Sequence, residues 1–191
     1  MFTTVPRSRR IIGLAIALTT VVALGGAAAH AAPSTTSVGA ETAGVTVDHR
    51  RAVRVDGAVA RRLQLTHADL ARLPQQTITL TYQSGSGSQT HTYTGPLLLD
   101  VLDRAQPRFD AQIKNHKLRH VVTATGSDRY QAAFAWGEID PDFEGKTVLV
   151  AITEDGQPAA DGRPRVVVPG DKHGGRYVSS LVSLHLSAPR R

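Results

Sequence analysis

The segment QTITLTYQ (residues 76–83) sets Thr77, Thr79 and Thr81 against Ile78, Leu80 and Tyr82. That alternation has a period of two. A strand places such residues on two opposite faces, whereas a helix would scatter them round its circumference. SGSGSQ (84–89) follows as a polar, glycine-containing loop, and THTYTG (90–95) returns as the second arm of a hairpin. Any fold open to this chain must therefore accommodate a half-buried antiparallel pair near its middle.

The remaining segments fit around that hairpin. VTVDHRRAVRVDGAV (45–59) alternates loosely and ends at Asp56-Gly57, a strand or hairpin signal. LTHADLARLPQ (65–75) is a short helix, with Thr66 as N-cap, Asp69 as its acidic capping-box partner and Pro74 as the stop. PLLLDVLDRAQP (96–107) opens on Pro96 at a first helical turn, puts Leu98, Val101 and Leu102 on one face, and closes at Pro107. LRHVVTATGSD (118–128) and RYQAAFAW (129–136) form a strand pair joined at Gly126-Ser127-Asp128, and GEIDPDFEGK (137–146) is a helical turn and loop. KTVLVAITEDGQPA (146–159) reads as one strand ending at Asp155-Gly156. RPRVVVPG (163–170) is a strand, GGRYVSSL (174–181) a short helix, and VSLHLS (182–187) a last strand. The fold class is α+β: strand-rich mixed sheets with short helices, in one domain over residues 44–188.

The first 43 residues read differently. Arg7, Arg9 and Arg10 precede a short apolar run, then Ala29 and Ala31 in an A-x-A arrangement, which is the pattern of a signal peptide cleaved after Ala31. The run is shorter than the about 20 residues a spanning helix needs. Residues 8–12, SRRII, partly resemble a twin-arginine export signal, with a general secretory signal the plainer reading. Residues 32–43 are a flexible lead-in. The sequence thus places the mature chain outside the cytoplasm, secreted or in the periplasm or cell envelope, with no membrane segment.

Three of the 22 basic residues and none of the 16 acids lie in the leader, so the remainder carries a net charge of only +3. The charges are mixed along the chain and aromatics are few, which argues against nucleic acid as a partner. Cysteine is absent. An exported domain without disulfides stands on its core alone, and no thiolate exists as nucleophile or metal ligand.

The densest concentration of binding chemistry is PGDKHGGRY (169–177). Glycines let backbone N–H groups approach a ligand closely, and Lys172 and Arg176 add positive charge, a combination suited to phosphate or another anion. The same residues also suit a plain surface connection. Elsewhere the signals are weak. His116 and His120 are four apart but precede a strand, so the spacing loses its meaning for a metal; His91, His173 and His185 lie on different elements, and the histidines read as scattered over the surface. SGSGS lacks the G-x-S-x-G elbow of a hydrolase nucleophile. Glu138, Asp140, Asp142 and Glu144 lack calcium-loop spacing and read as a solvated acidic loop. Gly126-Ser127-Asp128 reads as a turn between strands, and Tyr130 and Trp136 as core.

Taken in order, the segments LTHADLARLP, TITLTYQ, HTYTGPLLLDVL, LRHVVTATGSDRYQAAFAWGEID, VLVAITEDGQPA and RVVVPGDKHGGRYVSSLVSLHL resemble the molybdopterin-binding domain of sulfite-oxidase-type oxidoreductases, in its small exported stand-alone form. The resemblance runs from about Val53 to Leu186. It implies that Pro169-Gly170, Gly174-Gly175 and Arg176 belong to the turn that holds the pterin and its phosphate, with Lys172 and His173 beside them. It also implies that a cysteine should stand in the loop after the first hairpin strand, where this chain has Ser84, Gly85 and Ser86. Serine is a poor substitute for a soft thiolate on molybdenum, so no metal ligand is assigned. Where the family often adds a second basic residue beyond Arg176, this chain has Ser179-Ser180.

Two functions follow from that resemblance. One is an exported oxidoreductase-like domain that binds a molybdopterin-type cofactor and passes electrons to a separate redox partner, its catalysis in question without the cysteine. The other is a non-catalytic domain of the cell envelope that binds a small anion or another protein.

Overall fold

The computed structural model describes residues 51–159 and 161–188. The leader, the lead-in and the first residues of the 45–59 segment lie outside those residues. Three sheets and a few short helices enclose one hydrophobic core.

The largest sheet has five strands in the order β2-β1-β11-β5-β6. Its members are β1 (Val53–Gly57), β2 (Leu63–Leu65), β5 (Val121–Gly126), β6 (Gln131–Ala135) and β11 (Leu181–Ser187). β1 pairs parallel with β11 while the other neighbours are antiparallel, so the sheet is mixed. The inward positions Val53, Val55, Val122, Ala124, Phe134, Leu184 and Leu186 are almost fully buried. At roughly 2 kcal/mol per large apolar side chain removed from water, these rows fix which face of each strand points inward.

The second sheet runs β3-β4-β8-β9, all antiparallel. The expected hairpin is here, as β3 (Gln76–Ser84) and β4 (Gly87–Gly95). Their threonines face outward in register, and the hydroxyls of Thr77–Thr94, Thr79–Thr92 and Thr81–Thr90 meet at 2.9, 2.8 and 2.8 Å. On the other face Tyr82 and Tyr93 are buried. The sheet continues with β8 (Thr153–Glu154) and β9 (Gln157–Pro158).

Residues 146–159 do not form the single strand expected of them. β7 (Leu149–Ala151) pairs with β10 (Arg165–Val167) in a separate two-stranded sheet, and β8 joins β4. The apolar run Val148–Ile152 is buried throughout, and its backbone serves two layers: the amides of Val150 and Ile152 donate to the carbonyls of Pro96 and Thr94. Continuous burial hides such a change of sheet, because it removes the alternation that would mark it.

The helices are α1 (His67–Ala71), α2 (Leu98–Asp103) and α3 (Trp136–Ile139). α1 carries its capping box as expected: the Asp69 amide donates to Thr66 Oγ1 at 3.2 Å and the Thr66 amide to the Asp69 carboxylate at 3.0 Å. In α2, Leu98, Val101 and Leu102 are fully buried, while Pro96 sits one residue before the N-cap Leu97 rather than within the first turn. The segment 174–181 is not a helix. Only Gly174–Arg176 makes a 3-10 turn; beyond it the Val178 carbonyl accepts from the Val166 amide. Two glycines and a β-branched valine favour helix weakly, and pairing along β10 wins.

Candidate functional site

An open cleft of about 520 Å³ lies where the end of β3, the start of β10 and the turn after His173 converge. The hairpin end is stitched to the turn. The Gln83 amide donates to the Lys172 carbonyl at 2.9 Å, and Gln83 forms an isolated parallel bridge with His173. This stitch joins two stretches ninety residues apart. Ser84 and Gly85 from one and His173, Gly174 and Gly175 from the other line a single cleft, with Tyr82, Tyr177 and Arg165 among the other lining residues.

Gly174 is required by contact: a Cβ there would lie 2.9 Å from the Tyr82 ring. At Gly175 the cleft wall is bare backbone with open space beside it. The Tyr130 hydroxyl donates to the Gly175 carbonyl and pins the turn from behind. Tyr130 is thus exposed and supports the turn, not the core as expected; Trp136 is core.

The remaining expected residues sit outside the lining. Ser86 lies in the hairpin turn, where its amide donates to Ser84 Oγ at 3.1 Å and so orients Ser84. Lys172 is exposed. Arg176 points into its own chain. Its Nε and one Nη grip both Asp171 oxygens at 2.8 and 2.6 Å, and its other Nη donates to Glu138 at 2.8 Å. The Phe134 ring lies 5.6 Å beneath the guanidinium. The hydrogen bonds to Asp171 hold Arg176 well above its ordinary value, while burial would raise Glu138 and the bonds from Arg176 and the Ala135 amide outweigh it, leaving Glu138 low.

That network corrects the reading of a solvated acidic loop for Glu138 and Asp140, while Asp142 and Glu144 are exposed as expected. Glu138 holds Arg176, and the buried Asp140 accepts from Trp136 Nε1 at 2.8 Å and pairs with Lys117 at 2.7 Å. His120 is likewise not a surface histidine. It is fully buried against Phe109, its Nδ1 is 3.1 Å from the His116 carbonyl, and its Nε2 has no partner among the described residues.

Sequence reasoning missed the polar floor of the cleft. Arg165 donates to Ser179 Oγ through Nε and Nη2 at 3.0 and 2.8 Å, and through Nη1 to Glu154 at 2.8 Å and Tyr93 at 3.4 Å. The Tyr93 hydroxyl donates to Glu154 at 3.1 Å and lies 3.3 Å from the Tyr82 hydroxyl. Burial pushes Tyr177 up to about 12 and moves Tyr93 upward too, so both phenols stay neutral near pH 7. The only signal was a charged residue heading the apolar run RVVV, and that does not say what the charge faces.

The cleft fits the two halves of a molybdopterin cofactor unequally. Its donors are serine, amide, imidazole, neutral phenol and guanidinium groups, with no sulfur; this set does not suit a soft, thiolate-bound metal. The bare glycine wall and the Arg165 guanidinium do suit an anionic organic group.

With that geometry in place, the likeness to known proteins is consistent. The chain belongs to the family described as the oxidoreductase molybdopterin binding domain, whose profile matches residues 42–190. Its fold is similar to that of part of a chain in the sulfane dehydrogenase SoxCD from Paracoccus pantotrophus, at 20% identity and a TM-score of 0.58, over 73% of this chain and 38% of that one. The described fold therefore corresponds to well under half of that larger chain. No curated protein matches the sequence. The family resemblance read from the segments and the strand-rich α+β architecture both stand.

Proposed function

We propose that this protein is an exported domain that binds a molybdopterin-type ligand by its organic, anionic part and does not ligate molybdenum through its own side chains. The observation that carries the proposal is the convergence of Ser84-Gly85 with His173-Gly174-Gly175 around one cleft that contains a cation and no sulfur. Family membership supports the pterin, and the leader-like N-terminus supports export to the periplasm, cell envelope or medium.

In this reading Ser84, His173, Gly174 and Gly175 touch the ligand. Ser86 orients Ser84, Lys172 adds charge at the rim, and Arg176 holds the turn in shape through Asp171 and Glu138. The cofactor, when bound with its metal, would supply two-electron redox chemistry and require a separate redox partner. A non-catalytic anion- or protein-binding role is the second reading. It is favoured by the clamped state of Arg176, whose fork already holds a carboxylate of its own chain.

The test is the pterin and molybdenum content of protein made with its own leader in a host that synthesises the cofactor. Pterin near one per chain without matching molybdenum is the expected result. Stoichiometric molybdenum would show that the metal is held without a thiolate. Neither component, together with no loss of ligand on denaturation, would leave the second reading.

A further inference from the structure

We infer that the outer edge of β3 pairs with a second copy of this chain, the two β3 strands running antiparallel about a twofold axis at Thr79. The inference is independent of what the cleft binds.

β3 closes one side of its sheet and, at nine residues, is the longest edge strand of the described fold. One hydrogen bond shows which of its backbone groups face out. The Gln83 amide donates to the Lys172 carbonyl, away from β4, so the Gln83–Ser88 pair of the hairpin is not a hydrogen-bonded one. Bonded and unbonded pairs alternate along an antiparallel ladder. Thr81, Thr79 and Thr77 therefore also turn their N–H and C=O groups outward. Their hydroxyls lie within 2.9 Å of Thr90, Thr92 and Thr94, which agrees with the closer spacing of unbonded pairs. The outward groups of these three threonines have no partner among the described residues. At Gln83 the same edge already takes a strand-like neighbour, in the parallel bridge to His173.

Proteins guard an exposed edge with charge, proline, a bulge or short length. QTITLTYQS has no charge and no proline, and its register with β4 runs without a shift. The far edge of the same sheet, β9, is two residues long and ends in Pro158. An unguarded edge of this kind accepts an added strand.

The pattern along β3 selects a second copy as that strand. With Thr79 opposite the partner's Thr79, Thr77 meets the partner's Thr81 and every outward N–H finds a C=O. The threonines stay together on the outer face. On the inner face the half-buried Ile78 and Leu80 meet the partner's Leu80 and the partner's Ile78. No like charges come together, because the strand carries none. The arrangement also closes: each copy uses up its β3 edge and leaves the short, proline-tipped β9 at the outer end, so growth of this sheet stops at two. A seam one strand wide is at the small end of protein interfaces, so the dimer is a weak one, with a Kd between micromolar and millimolar.

Sedimentation velocity of the purified protein, from micromolar to near-millimolar concentration, should show a monomer–dimer equilibrium. Thr79→Glu and Thr79→Lys each set like charges opposite one another across the axis, and each should weaken dimerisation about fivefold at low salt. An equimolar mixture of the two should recover the wild-type affinity, because Glu then faces Lys. Gln157→Lys, on β9, should leave it unchanged. Hydrogen exchange tests the seam without any substitution: the Thr77, Thr79 and Thr81 amides of the wild type should gain protection as concentration rises. A wild type that stays monomeric throughout overturns the inference and leaves the edge for a strand of another protein. A dimer whose three threonine amides stay unprotected overturns it too, as does one that folded Thr79 variants do not weaken or that their mixture does not restore.

Discussion

Arg176 spends three donors on carboxylates of its own chain, and that fixes what its removal does. Arg176→Ala leaves the mostly buried Asp171 without its cation among the described residues, and leaves the mostly buried Glu138 only Lys146, 3.7 Å away. We expect a loss of about 2 kcal/mol, seen as a lower midpoint in thermal or urea unfolding; an unchanged midpoint would show that the clamp contributes nothing. Buried His120 makes a second residue-scale prediction. Burial lowers its proton affinity below the ordinary value of 6.5. The unfolded chain then takes up the proton more readily, so stability is complete above pH 6.5 and falls as pH drops below it. His120→Gln should flatten that part of the stability profile in urea unfolding followed from pH 7.5 to 5.

At the scale of elements, the fold depends on backbones that approach closely. Gly95 ends β4 where a Cβ would lie 2.2 Å from the Val150 carbonyl oxygen. Gly95→Ala must push β4 away from β7 and break the Ile152–Thr94 and Val150–Pro96 hydrogen bonds nearby. The expected cost is about 3 kcal/mol, enough to reduce soluble yield and lower the unfolding midpoint. The threonine ladder on the outer face behaves differently. Thr79→Ala removes one exposed cross-strand hydroxyl pair, so its effect should stay within about 1 kcal/mol. A larger effect than at Gly95 would mean that the hairpin, not its junction with β7, governs stability.

For the whole molecule, the depressed carboxylates set the acid limit. Glu138 and Asp140 lie below their ordinary values of 4.5 and 3.8 because hydrogen bonds from Arg176 and Lys117 outweigh their burial. A lowered acid contributes stability that is present above its unfolded value and is lost as pH falls through its folded one. Acid unfolding should therefore proceed in two stages, a gentle loss beginning near pH 6.5 from His120 and a steep one below about pH 4 from these carboxylates. Circular dichroism across that range would show it. A single transition in which Arg176→Ala makes no difference would contradict the assignment. The same two clusters tie the helix α3 to the site turn and to the segment before β5, so the acid limit of the fold is also the limit of the cleft.

Local patterns in the chain were enough to set the hairpin, the capped helix α1, the apolar face of α2 and the paired strands β5 and β6. Each of these depends on neighbours within a few residues, where periodicity and capping chemistry act. The glycine turn and the serine loop could be recognised as candidates for the same reason. What each charged group faces was settled only by tertiary structure. Arg176, read as a phosphate ligand, is held by Asp171 five residues before it and by Glu138 from another element. Arg165, whose one signal was its place at the head of an apolar run, became a cation of the cleft because β10 starts at its edge and Ser179 and Glu154 orient it. The split of residues 149–154 between two sheets was equally hidden, since a fully buried run carries no alternation. Local order can be read from side-chain spacing, but the partner of a charge depends on contacts between distant parts of the chain, and spacing does not record those.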